Sequence, residues 1–76
     1  MPPDLKHVPK KFGVTVRHAR TGARLTQMAL AEKADLTLNY VGEIERGEKL
    51  ASIETAAKLG YALGVSGAEL MKKAGL

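Results

Sequence analysis

The chain predicts an all-α domain of five short helices, and three observations carry that prediction. Apolar residues recur three and four positions apart through most of the chain, and no stretch alternates apolar with polar side chains as a half-buried strand would. Thr26, Thr37, Ser52 and Ser66 each stand just before such a stretch, where a hydroxyl can cap a helix. Gly47 and Gly64 follow others, where a helix can stop. Seventy-six residues suffice for one domain, with no internal repeat and no low-complexity segment.

Taken in order, residues 1–9 read as a flexible basic tail. Pro2, Pro3 and Pro9 prevent a continuous helix, and Lys6 and His7, with Lys10 and Lys11 just beyond, make the region basic. Two readings of this tail stand side by side: an arm that touches a phosphate backbone or minor groove, and a leader without contacts. The helical domain is expected over 10–76. Its first helix spans about Lys10 to Thr21, with Phe12, Val16 and Ala19 as the apolar stripe and Gly22 as the stop. The second runs from about Thr26 to Lys33, and the third from about Thr37 to Arg46, ended by Gly47. The fourth follows Ser52 and carries Ile53, Ala56, Leu59 and Leu63 up to Gly64. Gly60 inside it costs about 1 kcal/mol relative to alanine, so a close helix contact is expected there. Ser66 and Glu69 are spaced as a capping box, which starts a fifth helix with Leu70 facing inward.

Helices two and three hold the functional information. Leu30 and Ala34 are four apart on one, Val41 and Ile44 three apart on the other, and all four should be buried with Ala31 and Leu36. Asp35, Leu36 and Thr37 lie between. Asp tolerates the left-handed backbone of a tight turn, Leu36 fills the corner, and Thr37 caps the next helix. Two short helices joined this way form a helix-turn-helix, over about 26–46, whose second helix enters the DNA major groove.

The phased set Leu25-Thr26-Gln27, Leu30-Ala31, Leu36-Thr37, Tyr40-Val41-Gly42 and Ile44-Glu45-Arg46-Gly47 resembles the Xre family, the Cro/CI-type regulators with a lambda-repressor-like fold. The resemblance runs from about Phe12 to Leu70. The run from Tyr40 to Gly47 also resembles the small controller proteins of restriction-modification systems. One departure stands out: the family pattern usually has glycine just before the Leu25 position, and here that residue is Arg24.

With Val41 and Ile44 inward, the outward residues near the start of helix three, the face expected to read bases, are Thr37, Leu38, Asn39 and Glu43. The resemblance places Leu38, Asn39 and Glu43 at base edges. Asn39 can hold adenine through paired hydrogen bonds, Leu38 can pack on a thymine methyl, and Glu43 can accept from a cytosine amino group. Alternatives remain open: Leu38 as the rim of the core, Glu43 as a flank residue that touches nothing, and Thr37 as a cap alone. Gln27, at the start of helix two, is expected to meet a phosphate, since free backbone amides and the helix dipole favour an anion there. Tyr40 offers a hydroxyl to a phosphate while its ring covers the corner between the helices. Arg46 and Lys49 are placed to grip the backbone, with Glu48 weakening the local field. For Arg20 and Glu45 the resemblance implies an internal ion pair that orients helix three on helix one.

Twelve Lys and Arg against eight Asp and Glu give a net charge of +4, which suits a polyanionic partner. There is no cysteine, hence no disulfide framework or thiolate metal site. No apolar run approaches a membrane span, and the N-terminus has no signal-peptide core, so a cytoplasmic location is expected. His7 and His18 have no catalytic partners at a suitable spacing, and the acidic residues form no metal-ligand pattern. Neither an enzyme, a metal, a cofactor nor a small-molecule ligand is expected. The function implied is a sequence-specific, autoregulatory transcriptional regulator that binds double-stranded DNA. One recognition helix reads only about 4 to 6 base pairs, so a homodimer on a palindrome is required, with half-sites about 34 Å apart. Leu70, Met71 and Leu76 are the apolar residues available for that contact. The rival reading is a protein-interaction module or antitoxin-type subunit that uses the same fold and binds DNA weakly.

Overall fold

Four of the five helices start at a hydroxyl. The computed structural model describes residues 5–76, with α1 (Val8–Gly22), α2 (Gln27–Ala34), α3 (Leu38–Glu45), α4 (Ile53–Leu63) and α5 (Gly67–Lys73). Thr26, Thr37, Ser52 and Ser66 each accept the backbone N–H three residues on, and Ser66 completes a capping box with Glu69. The exception is α1, which has proline in its first turn instead. It begins at Val8 rather than Lys10, so Val8 and Pro9 are helical and do not belong to a tail. The first four residues of the expected tail lie outside the described residues.

All five helices end alike. Two backbone bonds reverse direction, one spanning three residues and one spanning five, around a residue in the left-handed region. The residue is glycine after α3, α4 and α5, but Asp35 (φ 56°) after α2 and Arg24 (φ 60°) after α1. The stop expected at Gly22 is therefore misplaced: Gly22 is the last helical residue, and the turn is made two residues later by an arginine.

The core lies where the apolar stripes meet. Phe12 and Val16 of α1, Leu30, Ala31 and Ala34 of α2, Val41 and Ile44 of α3, Ala56 and Leu59 of α4, and Leu70 of α5 are all buried. Leu36 packs against this cluster half-buried. α3 is held between α1 and α2, while α4 packs on α2 and α5. Two glycines make these approaches possible. A Cβ on Gly13 would sit 2.2 Å from the Ile44 carbonyl oxygen, so α1 and α3 touch backbone to backbone there. A Cβ on Gly60 would sit 2.7 Å from the Val65 carbonyl oxygen, which is the close contact its position inside a helix called for.

Two expectations fail on burial. Ile53 belongs to the apolar series of α4 yet is 89% exposed, although Thr55 and Ala56 in the same turn are buried. Leu70 was a candidate for a surface between protomers, but it is 0% exposed and fills the space between α5 and the rest of the core. It has no surface to offer a partner.

Candidate nucleic-acid interface

The N-terminal turn of α3 faces out. Asn39 is exposed, and Leu38, an apolar side chain with no role in the core, is 44% exposed. Thr37 is exposed too, and its Oγ1 accepts the Tyr40 N–H at 3.1 Å, which leaves its own hydroxyl proton free to donate outward. Capping and an external contact are thus compatible in one residue. The opposite face of the helix carries Val41, Ile44 and Glu45 into the interior.

Glu43 is less available than its outward position implies. It is half-buried, and one carboxylate oxygen lies 3.6 Å from Lys49 Nζ. Two residues assigned separate roles, one at bases and one at the backbone, are therefore partners of each other. Arg46 behaves in the same way. Its guanidinium donates through Nε to one Glu48 oxygen and through Nη2 to the other at 3.3 Å. That hydrogen bond, with the charge of Arg46 behind it, holds the Glu48 carboxyl below the usual carboxylate range. The cation of each pair is exposed although Glu43 is half-buried, and ion pairs at a surface are weak enough to open.

Behind this face sits a buried network. Arg20 Nε donates to Glu45 Oε2 at 2.6 Å and Nη2 donates to Oε1 at 3.1 Å, with the Glu45 side chain only 3% exposed. Arg20 Nη1 also donates to the Leu25 carbonyl at 2.8 Å. One guanidinium thus ties the C-terminal end of α1, the loop into α2 and the last turn of α3 together. Gln27 joins the network: its Nε2 donates to Glu45 Oε1 at 3.0 Å. Its amide was expected to point at a phosphate, but one of its hydrogens is committed inward. The partner is eighteen residues away in the chain, so no local pattern announces it. What remains for an anion is the second amide hydrogen and the free backbone N–H groups at the start of α2.

Tyr40 is likewise drawn inward. Its ring packs half-buried on the core, and its hydroxyl is 3.4 Å from Thr55 Oγ1, which also receives a hydrogen bond from Ser52 Oγ at 3.0 Å. The residue fixes α3 against α4 first. Any phosphate contact is additional to that.

A second surface forms on the side built by α1, α4 and α5. Leu50, Ile53, Met71 and Leu76 are exposed around a depression of about 70 Å³ whose floor is Phe12 and Ala56. Sequence reasoning found Met71 and Leu76 but not Leu50 and Ile53. The signal was present in Ile53, an apolar residue in the first turn of its helix, one position past the Ser52 cap, but its periodicity with Ala56 masked it. Among the described residues, no three His, Cys, Asp or Glu side chains gather as metal ligands would, and no helix is long and apolar enough to cross a membrane.

The arrangement defines a class: a five-helix domain in which α2 and α3 form a helix-turn-helix and the N-terminal turn of α3 faces outward. Residues 11–71 match the family described as helix-turn-helix domain, and the chain belongs to that family. Among curated proteins it is similar to the control protein C.BamHI of Bacillus amyloliquefaciens, at 36% identity over 61 residues, covering 79% of this chain and 75% of that one. Among solved structures it is similar to the restriction-modification controller protein C.AhdI of Aeromonas hydrophila, with 38% identity and a TM-score of 0.80 over 83% of this chain and 96% of that one. It is also similar to the clp gene regulator ClgR of Corynebacterium glutamicum, with 32% identity and a TM-score of 0.84 over 90% and 72%.

Proposed function

We propose that the protein is a DNA-binding transcriptional regulator of the restriction-modification controller type, which acts as a homodimer on a palindromic operator. The observation that carries this is the outward N-terminal turn of α3. Leu38 has no reason of folding to be exposed there, and it stands beside Asn39, whose side chain can make the paired bonds that adenine accepts. Similarity to regulators over most of the chain supports the same reading.

In this reading Asn39 and Leu38 read bases, and the start of α2, with Thr37, Arg46 and Lys49, holds phosphates. Glu45 and Arg20 bind no DNA; they set the angle at which α3 is presented. The apolar surface around Ile53, Met71 and Leu76 joins two protomers, which brings two α3 helices to one side of a duplex. Such a protein works in the cytoplasm, and its occupancy of the operator rises with its own concentration through dimerisation.

Selection of bound oligonucleotides from a random pool returns the site, its symmetry and its spacing. Fluorescence anisotropy on that site over a salt series then measures the backbone contacts. If a dimer neutralises about six phosphates, log affinity falls against log salt with a slope of about −5. Asn39→Ala should lose about 1 to 3 kcal/mol of discrimination at one base pair and keep its fold. Binding without salt dependence, or an Asn39→Ala variant that treats every site as the parent does, refutes the proposal.

A further inference from the structure

Arg24 is at odds with the way this fold ends its helices. It occupies the left-handed position that glycine fills after α3, α4 and α5, and a long L side chain is disfavoured there. Asp35, the other departure, is of a residue type that enters that conformation more readily than most. Arginine is not of that type. Its side chain is exposed, and among the described residues it has no hydrogen-bond or ion-pair partner. Arg20 is bound to Glu45, Arg46 to Glu48 and Lys49 to Glu43, whereas Arg24, like Arg17 and Lys33, is held by no acid among the described residues. The left-handed turn closes α1, as glycine would do without strain, but the arginine side chain that carries the strain yields nothing inside the protomer, and residues held in sparsely populated conformations cluster where a function needs them.

Its position supplies the function. Leu25 N–H bonds to the Arg20 carbonyl at 3.1 Å and the Leu25 carbonyl accepts from Arg20 Nη1 at 2.8 Å, so the turn is rigid. Three residues on is Gln27, the first residue of α2. The two Cα atoms are no more than about 11 Å apart, which puts the guanidinium in reach of the DNA strand that the start of α2 faces. We propose that Arg24 grips a DNA phosphate next to the one held at the α2 N-terminus, a backbone contact for which the fold accepts a left-handed arginine. This rests on the DNA-binding reading above and adds a residue to it. The planar fork suits two phosphate oxygens at once, and no acid in contact competes for it.

The test compares the full-length protein with Arg24→Gly, Arg24→Asn and Arg24→Lys, reading the melting temperature and the anisotropy of both the selected site and a random duplex over a salt series. Relief of the left-handed strain should raise the melting temperature of Arg24→Gly by about 4 °C. Binding should move the other way. Arg24→Gly and Arg24→Asn should lose about fivefold or more in affinity on both duplexes at low salt, with a slope shallower by about one per protomer, while Arg24→Lys keeps the slope. Opposite signs for stability and affinity are what a merely structural residue cannot produce. If Arg24→Gly and Arg24→Asn bind both duplexes with the parent's affinity and slope, the proposal is overturned while the DNA-binding reading stands. If the parent protein binds no duplex, both are overturned.

Discussion

Replacing Arg20 by methionine should cost this domain more than any substitution on its DNA-facing surface. The guanidinium makes three hydrogen bonds, two to Glu45 and one to the Leu25 carbonyl. Methionine keeps the length of the stem but leaves a carboxylate, 3% exposed, with Gln27 as its remaining donor. Removing one partner of a buried pair costs about 3 to 5 kcal/mol. The Arg20 side chain is 12% exposed, and water can reach the gap, so the lower end, about 3 kcal/mol, applies. For a domain of 76 residues each 1 kcal/mol moves the melting temperature by about 4 to 8 °C, so the drop is about 12 to 24 °C. Arg20→Met combined with Glu45→Leu removes both charges and should recover most of that loss, because the expense lies in the orphaned carboxylate. Circular dichroism melts at one fixed protein concentration measure all three variants, the concentration being held because dimerisation shifts the midpoint. A drop below about 4 °C for Arg20→Met, or a double variant no more stable than the single one, would refute the reasoning.

Gly13→Ala should destabilise the fold by about 2 to 3 kcal/mol, since the new methyl meets the Ile44 and Glu45 carbonyls, backbone that cannot step aside. A thermal melt checks it, and an unchanged midpoint contradicts the backbone contact between α1 and α3. Glu48→Gln should free Arg46, strengthen binding to random duplex and steepen the salt slope by about one per protomer. The parent protein carries its own control. The Glu48 carboxyl is held below its ordinary range by the hydrogen bond from Arg46, so the pair persists at neutral pH and is lost only as the pH falls through that lowered value. Affinity of the parent should then rise toward that of the variant, as an anisotropy titration at several pH values would show; equal affinities at neutral pH would rule out the masking.

The local features of the fold were legible in the sequence because they depend on neighbours in the chain. Thr26, Thr37, Ser52 and Ser66 cap helices since a hydroxyl and the N–H it accepts are three residues apart. The buried residues of α2 and α3, and with them the outward turn of Leu38 and Asn39, follow from a period of 3.6. Asp35 could be read as a left-handed turn residue from its chemistry alone.

The tertiary structure decided everything that joins distant segments or measures what covers a face. Gln27 meets Glu45 instead of pointing freely outward and Tyr40 reaches Thr55, both across the chain rather than along it, while Glu43 and Lys49 occupy each other around the turn that ends α3. Leu70 and Ile53 both sit on helical apolar series, yet Leu70 is buried in the core and Ile53, the first residue of α4, stands in solvent. Periodicity says which residues share a face, and only packing says whether that face is covered. Arg24 shows the same division: its departure from glycine is visible in the sequence, but that it bends left-handed and stands without an acidic partner is a property of the folded chain.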